Sequence, residues 1–505
     1  MLNSIKNMAQ WVWMAGYATT PDPFRFYPAR HSAFWAPYFQ WINRTLLNHQ
    51  FKMPNTLLMC QPNAEFSKKT LANLEHPTMV VVNHINFADP QVVLEQAQIA
   101  KTPLWWMAGV EPFERMKGVQ TFHLSNCGTF SLDRGVIDRN ALLTAQRVLD
   151  EAQCPLVIFA EGEADYTQDV TSPYFEGAAG FALKTLKNPE RDVRIIPVHL
   201  SYHFAEDTAK AFPLVWKAIV KLTERFDLPL PTEIKTSAET LKQMPSIHQN
   251  VLGGVVSFLK QSYGVEFLPS GSVELDVRSL LSAVFRRLCA EHDVSFDESV
   301  IDDYAGVMGL KNRLRSVIVR KSRVMKQKNY DRLMMRLESW EKEFAGKDSL
   351  GFVTQQALSK TEQSLLGWKN TDASMDKRLK TLRRHLKSMA PYVTMSEDAN
   401  GEQHQQWQRQ LLLCRELKLL KVLQRDLNTD WNTVEQIDEW RFKLTLLLDG
   451  KSVYVGPKHA RMIVGAPQSL REKMTLEGDE DKLTPAVLTG WFRDWVTQLK
   501  PEVSI

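Results

Sequence analysis

The sequence predicts an α/β fold, in which a mostly parallel sheet is flanked by helices and accompanied by a large, mainly α-helical insertion or C-terminal region. Between residues 79 and 200, short apolar runs alternate with segments of helical periodicity. This alternation is typical of a parallel sheet covered by helices. After about residue 206 it gives way to long charged segments with helical periodicity. The length of 505 residues is enough for roughly two or three domains.

Five predicted strands are rich in valine, isoleucine and aromatic residues, and several are apolar throughout, as expected of strands covered on both faces. They are Met79–Asn83, Leu104–Ala108, Thr129–Leu132, Leu156–Ala160 and Arg194–Leu200. The helices predicted between them are Pro90–Ala100, Asp138–Gln153 and Gly177–Lys187.

The later part of the chain predicts long helices and one late strand. Gln405–Leu427 has the clearest helical periodicity. Asn432 and Glu435 have the spacing of a capping box at the start of a further helix, and Gly450 follows the end of that helix. Ala460–Val464 is a short strand-like run.

The composition excludes some classes of protein. A net charge of +4, from 62 basic and 58 acidic residues, argues against nucleic acid as the main partner. The five cysteines are scattered, with no CxxC pair, and indicate a reducing cytoplasmic setting. No segment has the pattern of a transmembrane helix or a signal peptide. The first 41 residues are rich in aromatic side chains. Two interpretations are open, contact with a membrane surface and packing against the main domain.

The clearest chemical feature is the segment Val80–Pro90, VVVNHINFADP. An apolar strand ends at Asn83-His84, and Asp89 follows five residues after the histidine. Active sites of such sheets lie at the carboxyl ends of strands. A histidine can take a hydroxyl proton near neutral pH, and it works best beside a carboxylate. On its own, this spacing is more typical of a loop histidine near a helix-capping aspartate.

Three further segments follow in order: GTFSLDR at 128–134, FAEG at 159–162 and IIPV at 195–198. Together with the NHxxxxD segment they resemble the four blocks of the glycerolipid acyltransferase family, whose best-known members are the 1-acyl-glycerol-3-phosphate acyltransferases. The third block is most similar to a bacterial subgroup with FPEGE, although Ala160 replaces the proline. Ala460–Pro467, ARMIVGAP, resembles the strand that closes the domain in this family.

The resemblance implies roles for individual residues. His84 would be the general base toward the acceptor hydroxyl, and Asp89 would orient it. The substrate-binding residues that it implies are Asn83, Arg134, Glu161 and Gly162, with Arg134 contacting a phosphate. The structural alternatives are a surface ion pair for Arg134 and a strand-end turn for Glu161-Gly162. No metal site is predicted, because His199 and His203 lie four apart on a predicted strand and loop rather than on a helix.

The resemblance also implies a division of the chain into four parts. Residues 1–78 are an aromatic-rich helical segment, and 79–205 are the acyltransferase α/β core. Residues 206–451 are a mainly helical insertion, and 452–505 complete the acyltransferase domain. Within the insertion, the basic stretches Lys311–Lys328 and Lys377–Lys387 have near-helical apolar spacing. They indicate either contact with an anionic membrane or acidic carrier protein, or solvated helices that pack one apolar face.

We therefore expect a bacterial O-acyltransferase of phospholipid biosynthesis, peripheral at the inner, cytoplasmic face of the cell membrane. Acyl-CoA or acyl-carrier protein would be the donor and a lysophospholipid or related glycerolipid the acceptor, with no metal or other cofactor. The positions that usually hold Thr-Arg-Ser in the family are occupied by Glu163, Ala164 and Asp165, so the arginine is missing. These residues suggest the alternative of the same chemistry on a non-glycerolipid alcohol. Thioester hydrolysis and a non-catalytic lipid- or carrier-binding helical scaffold are further alternatives.

Overall fold

A computed structural model describes most of the chain. The described residues are 26–30, 32, 34–54, 58–61, 76–99, 103–114, 119–133, 138–152, 154–168, 172–230, 236–322, 325–345, 351–366, 374–389, 393–394, 402–450, 452–477 and 483–500. Arg134 and most of the N-terminal aromatic segment lie outside these ranges.

The described residues contain one large sheet. Its strands are β1 (Leu58–Gln61), β2 (Thr78–Val82), β3 (Trp105–Gly109), β4 (Thr129–Leu132), β5 (Leu156–Phe159), β6 (Arg194–Phe204), β9 (Lys458–Val464) and β10 (Gln468–Ser469). The strand order is β1-β9-β6-β2-β5-β3-β4, and β10 also pairs with β6. Neighbouring strands run parallel, except that β6 is antiparallel to β9 and to β10. The predicted α/β class with a mostly parallel sheet is confirmed.

Helices cover the sheet and form the region between β6 and β9. They are α1 (Ala36–Thr45), α2 (Asp89–Ile99), α3 (Glu111–Glu114), α4 (Val119–Asn126), α5 (Arg139–Glu151), α6 (Gly177–Leu186), α7 (Thr208–Arg225), α8 (Ser237–Tyr263), α9 (Val273–His292), α10 (Tyr304–Ser322), α11 (Gln327–Phe344), α12 (Phe352–Leu366), α13 (Met375–Met389), α14 (Glu402–Arg425), α15 (Val434–Leu448), α16 (Leu470–Glu477) and α17 (Pro485–Gln498). A π-helical turn, Leu46–Gln50, continues α1. Two 3-10 turns, Glu298–Ile301 and Asp426–Asn428, and a short parallel pair, β7 (Met325–Lys326) with β8 (Val393–Thr394), complete the described elements.

The apolar strands are buried because both faces of the sheet are covered. Met79 and Val81 of β2 pack into one core, and Val80 and Val82 pack into the core on the opposite face. This explains why β2 is apolar at every position rather than at alternate ones. β6 extends beyond its predicted end at Leu200, because its last residues pair with β9 as far as Phe204.

The segment before residue 79, predicted to be helical, also contributes a strand. β1 pairs in parallel with β9, with Leu58 opposite Ala460. A four-residue run is too short to show a period, so the sequence pattern does not distinguish it from a helix or loop. The late run at 460–464 is a strand, as predicted, and it lies between β1 and β6.

One predicted helix start is wrong by one residue. The capping box at the start of α15 is formed by Thr433 and Gln436, rather than by Asn432 and Glu435. Thr433 has an extended backbone, which places its hydroxyl over the amide of Gln436 at 3.2 Å. The Asn432 side chain instead donates to the carbonyl of Asp430.

The two basic stretches of the helical region pack an apolar face, where they are described. Leu379 and Leu382 of α13 are buried against Leu337 and Trp340 of α11. Lys311 of α10 is itself buried. None of the helices in the described part of the chain combines the length and the apolar character needed to cross a membrane.

The loop that follows β5 enters the core of the helical region. Ala164 and Tyr166 of this loop belong to the same buried cluster as side chains of α7 to α10, α14 and α15. The ring of Tyr166 lies 5.1 Å from that of Phe442 in α15, between centroids. The helical region therefore packs directly against a loop at the carboxyl end of the sheet.

Candidate active site

A tight turn between β2 and α2 brings His84 and Asp89 together. The Asn86 backbone N–H donates to Asp89 Oδ2 at 2.8 Å, and the Asp89 N–H donates to the Asn86 carbonyl at 3.2 Å. The Asn86 side-chain oxygen accepts from the Ala88 N–H at 3.2 Å. These bonds turn the Asp89 carboxylate back toward the end of β2.

The imidazole of His84 contacts the Asp89 carboxylate directly, with Nδ1 2.8 Å from Oδ2. The Asp89 side chain is fully buried, whereas that of His84 is 15% exposed. A carboxylate beside Nδ1 favours the tautomer that carries the proton there and leaves the lone pair on Nε2. The pair can therefore present a proton acceptor to a hydroxyl group that reaches the partly open ring.

Glu161 supports the backbone of His84. Its Oε1 accepts from the His84 N–H at 3.1 Å, and the side chain is buried. Burial, together with the nearby Asp165, raises the pKa of Glu161 well above its usual value. Because the His84 N–H is engaged by Glu161, that N–H is not a donor for the oxyanion of a reaction intermediate.

Gly162 is required by the local backbone. Its φ is +74°, a left-handed conformation that disfavours a side chain. A Cβ atom here would lie 2.8 Å from a ring carbon of Phe175. The Gly162 N–H donates to the carbonyl of Phe159 at 2.9 Å, which closes the turn after β5. The strand-end turn considered from the sequence is therefore present, and a role in substrate binding stays a prediction.

The side chain of Asn83 is bonded to the neighbouring strand. Its amide donates to the Leu200 carbonyl at 3.1 Å and accepts from the Leu200 N–H at 2.7 Å. The residue is buried, and it joins the end of β2 to β6. Its role in substrate binding stays a prediction. Arg134, the predicted phosphate contact, lies outside the described residues.

The acids of the loop after β5 are compensated by cations of the helical region. Glu163 Oε2 lies 2.6 Å from Lys311 Nζ and 3.6 Å from Lys418 Nζ. Asp165 Oδ2 lies 3.0 Å from a guanidinium nitrogen of Arg425, and it also accepts from a serine hydroxyl of the same loop. The two acids are thus each paired with a cation of the helical region.

Sequence reasoning missed three residues that hold the His84–Asp89 pair. The Tyr202 hydroxyl donates to Asp89 Oδ1, and the Tyr454 hydroxyl donates to the side-chain oxygen of Asn86 at 2.8 Å. Asn86 could have been noticed, since asparagine is common in tight turns. The two tyrosines have no local signal, because each meets the turn from a distant part of the chain.

One of three comparisons with known proteins gave a match. A model of the Acyltransferase family matches residues 63–201, a range that includes His84, Asp89, Glu161 and Gly162. Searches of the curated proteins and of the solved structures found no match. The α/β part of the chain is thus similar to acyltransferase domains, and acyl transfer is the general chemistry that this similarity supports.

Proposed function

We propose that the protein is an O-acyltransferase that moves a fatty acyl group from a thioester to a glycerolipid hydroxyl, with His84 as general base. The observation that carries the proposal is the contact between His84 Nδ1 and the buried Asp89 carboxylate, at 2.8 Å, with the ring partly exposed. The match of residues 63–201 to the Acyltransferase family supports the reaction class.

The proposed reaction proceeds through one tetrahedral intermediate. His84 Nε2 takes the proton of the acceptor hydroxyl while its oxygen attacks the thioester carbonyl carbon. The buried Asp89 carboxylate stabilises the imidazolium that forms. The intermediate then expels the thiolate, which takes the proton back from His84. The products are an ester and a free thiol, so atoms and charge balance without a redox or metal cofactor.

The donor is acyl-CoA or an acyl-carrier protein, and the acceptor is a lysophospholipid or related glycerolipid. Glu163 and Asp165 are paired with Lys311 and Arg425, which weakens the repulsion they would otherwise exert on an acceptor phosphate. Arg134, Glu161, Gly162 and Asn83 remain the proposed substrate-binding residues. The FAEGE segment at 159–163 supports a place in the bacterial FPEGE subgroup.

An aromatic surface supports a peripheral position at the cytoplasmic face of the membrane. We define it by its partly or largely exposed side chains, Phe34, Trp35, Tyr38, Trp41 and Phe122. Their rings contact one another across α1 and α4. Tryptophan and tyrosine favour the membrane–water interface. Residues 26–62 contain three lysines or arginines and no acid, which suits an anionic lipid surface.

The test is incubation of the purified protein with a labelled acyl thioester and a panel of lysolipids and other alcohols, followed by mass analysis. The expected product is an acylated glycerolipid. His84→Ala should lower its formation by roughly 10²- to 10⁴-fold, the size of a general-base contribution, while leaving the circular dichroism spectrum unchanged.

The same assay separates the alternatives. If a different alcohol in the panel were acylated, that alcohol and not a glycerolipid would be the acceptor. Release of free fatty acid without any acceptor would indicate a thioesterase. Equal turnover by the wild type and His84→Ala would contradict the catalytic assignment and leave the scaffold alternative.

A further inference from the structure

The Asp89 carboxylate receives a donor on each oxygen. Oδ2 accepts from His84 Nδ1 and from the Asn86 N–H, whereas Oδ1 accepts from the Tyr202 hydroxyl. Since Asp89 is fully buried, a carboxylate oxygen without a donor would be costly. Tyr202 therefore supplies the hydrogen bond to Asp89 Oδ1, which no group of the turn itself provides.

Tyr202 is held rigidly in the sheet. It lies on β6 opposite Ala460 of β9, and its ring is buried in the core beneath the turn. Burial, followed by the charge of Asp89, raises the pKa of Tyr202 well above its usual value. The hydroxyl thus keeps its proton and remains a donor to Asp89 throughout the working pH range.

Tyr454 reaches the same turn from the segment between α15 and β9. Its hydroxyl donates to Asn86 Oδ1 at 2.8 Å, and the Asn86 N–H in turn donates to Asp89. The Tyr454 ring is packed between Phe51 and Phe442, with centroids 5.2 and 5.1 Å away. Phe442 belongs to α15, so the helical region contributes to the placement of Tyr454.

We propose that Tyr202 and Tyr454 are positioning residues for the His84–Asp89 pair, Tyr202 by a direct bond to Asp89 and Tyr454 through Asn86. The inference rests on the proposed function and extends the machinery beyond the family match at residues 63–201. Neither tyrosine contacts the reacting groups. They act by limiting the orientations of the Asp89 carboxylate and by sharing its negative charge.

Tyr202→Phe tests the direct bond. Without the Tyr202 hydroxyl the Asp89 carboxylate can take other orientations, so the imidazole is less often aligned with the acceptor hydroxyl and kcat should fall about tenfold, with KM unchanged. The proton between His84 Nδ1 and Asp89 Oδ2 reports the same contact, so its NMR resonance should move in Tyr202→Phe. Tyr454→Phe should give a smaller loss, of about threefold, because it acts through Asn86.

Tyr263→Phe is the matched control, since Tyr263 is a mostly buried tyrosine whose hydroxyl donates to Glu416 at 2.7 Å in the helical region. It should leave kcat and the resonance of the His84 Nδ1 proton unchanged. In an Asp89→Asn background, Tyr202→Phe should cause no further tenfold loss. A folded Tyr202→Phe protein with wild-type kcat and an unmoved resonance of the His84 Nδ1 proton, or with the same losses as Tyr263→Phe, would overturn the proposal.

A measurement without substrate separates this inference from the proposed function. The resonance of the His84 Nδ1 proton, assigned by comparison with His84→Ala, should lie at a different chemical shift in Tyr202→Phe than in the wild type. If wild type and His84→Ala transfer acyl groups equally, the proposed function fails, and this resonance still reports on Tyr202. If the resonance has the same chemical shift in wild type and Tyr202→Phe, the positioning role fails.

Discussion

Lys311 Nζ lies 2.6 Å from Glu163 Oε2 and joins helix α10 to the loop after β5. Lys311 is almost fully buried, and Glu163 is four-fifths buried. Two residues before Glu163, the same loop carries Glu161, which bonds to the backbone of His84. The helical region therefore stabilises the loop that supports the candidate general base.

Lys311→Met should destabilise the protein, because it leaves the Glu163 carboxylate without its nearest cation. Breaking a fully buried ion pair costs about 3–5 kcal/mol. The partial exposure of Glu163 and the second cation, Lys418, reduce the expected loss to about 2 kcal/mol in the free energy of unfolding. Urea unfolding measures this loss.

The control is Lys380→Met, which removes an exposed i, i+4 pair with Asp376 and should change stability by less than about 0.5 kcal/mol. The double variant Lys311→Met with Glu163→Gln should be more stable than Lys311→Met alone, since the stranded charge is gone. Equal stability of Lys311→Met and Lys380→Met would show that the buried pair contributes nothing.

Glu161→Gln should stabilise the protein increasingly as the pH rises. The pKa of Glu161 is raised in the folded state, so the folded protein holds this proton to a higher pH than the unfolded chain does. The resulting loss of stability is absent below the usual pKa and grows as the pH rises above it. Glutamine has no such proton, and its oxygen can still accept from the His84 N–H.

Thermal unfolding at several pH values between 4 and 9 measures this effect. The difference in Tm between Glu161→Gln and the wild type should be smallest at the acidic end. Glu161→Ala is the comparison variant, because it also removes the oxygen that accepts from the His84 N–H. A pH-independent difference for Glu161→Gln would contradict the raised pKa.

Gly162→Ala should destabilise the turn after β5. A left-handed backbone costs an ordinary residue about 1–2 kcal/mol, and the added methyl group would meet the ring of Phe175 at 2.8 Å. We expect a loss of about 2–3 kcal/mol in the free energy of unfolding. Gly180→Ala, in helix α6 with open space around the added atom, should instead be neutral or stabilising by up to about 1 kcal/mol. Equal effects of the two substitutions would contradict this assignment.

The double substitution Phe34→Ala with Trp41→Ala should weaken binding to vesicles of anionic phospholipid. These side chains are 82% and 56% exposed, so they can enter a lipid interface without unfolding. Loss of two large aromatic side chains should lower the vesicle partition coefficient by at least about tenfold. Co-sedimentation measures it.

Leu268→Ala is the control for this prediction, because Leu268 is 91% exposed and lies in the helical region. It should leave vesicle binding unchanged. If the double variant bound vesicles as tightly as the wild type, the aromatic surface would not be the contact with the membrane.

Much of the fold could be predicted because its signals are local. The strand predicted at 129–132 has the observed bounds, and helix α6 ends one residue before its predicted end. Apolar runs and helical periodicity are patterns of neighbouring residues, so they can be recognised in the sequence. The structure adds the pairing order, strand β1 and the extension of β6 to Phe204. The predicted capping box of α15 was wrong by one residue, because Asn432 and Thr433 are both acceptable N-caps. Only the backbone conformation selects between them.

The candidate site divides in the same way. His84 and Asp89 lie five residues apart, a spacing that is a weak signal alone, and the prediction of their contact rests on the resemblance of four ordered segments to the acyltransferase blocks. The bonds from Tyr202 to Asp89 and from Tyr454 to Asn86 join residues that are far apart in sequence. The sequence around a buried tyrosine does not indicate which group its hydroxyl will contact.

The sequence alone determined the α/β class, the order of the strands along the chain and the histidine–aspartate pair. Each of these depends on patterns formed by residues that are close together in the sequence. Only the tertiary structure decided that β9 lies between β1 and β6, that Lys311 neutralises Glu163, and that two tyrosines hold the turn. Those contacts arise when distant segments share one buried volume, where each charge and polar group must find a partner.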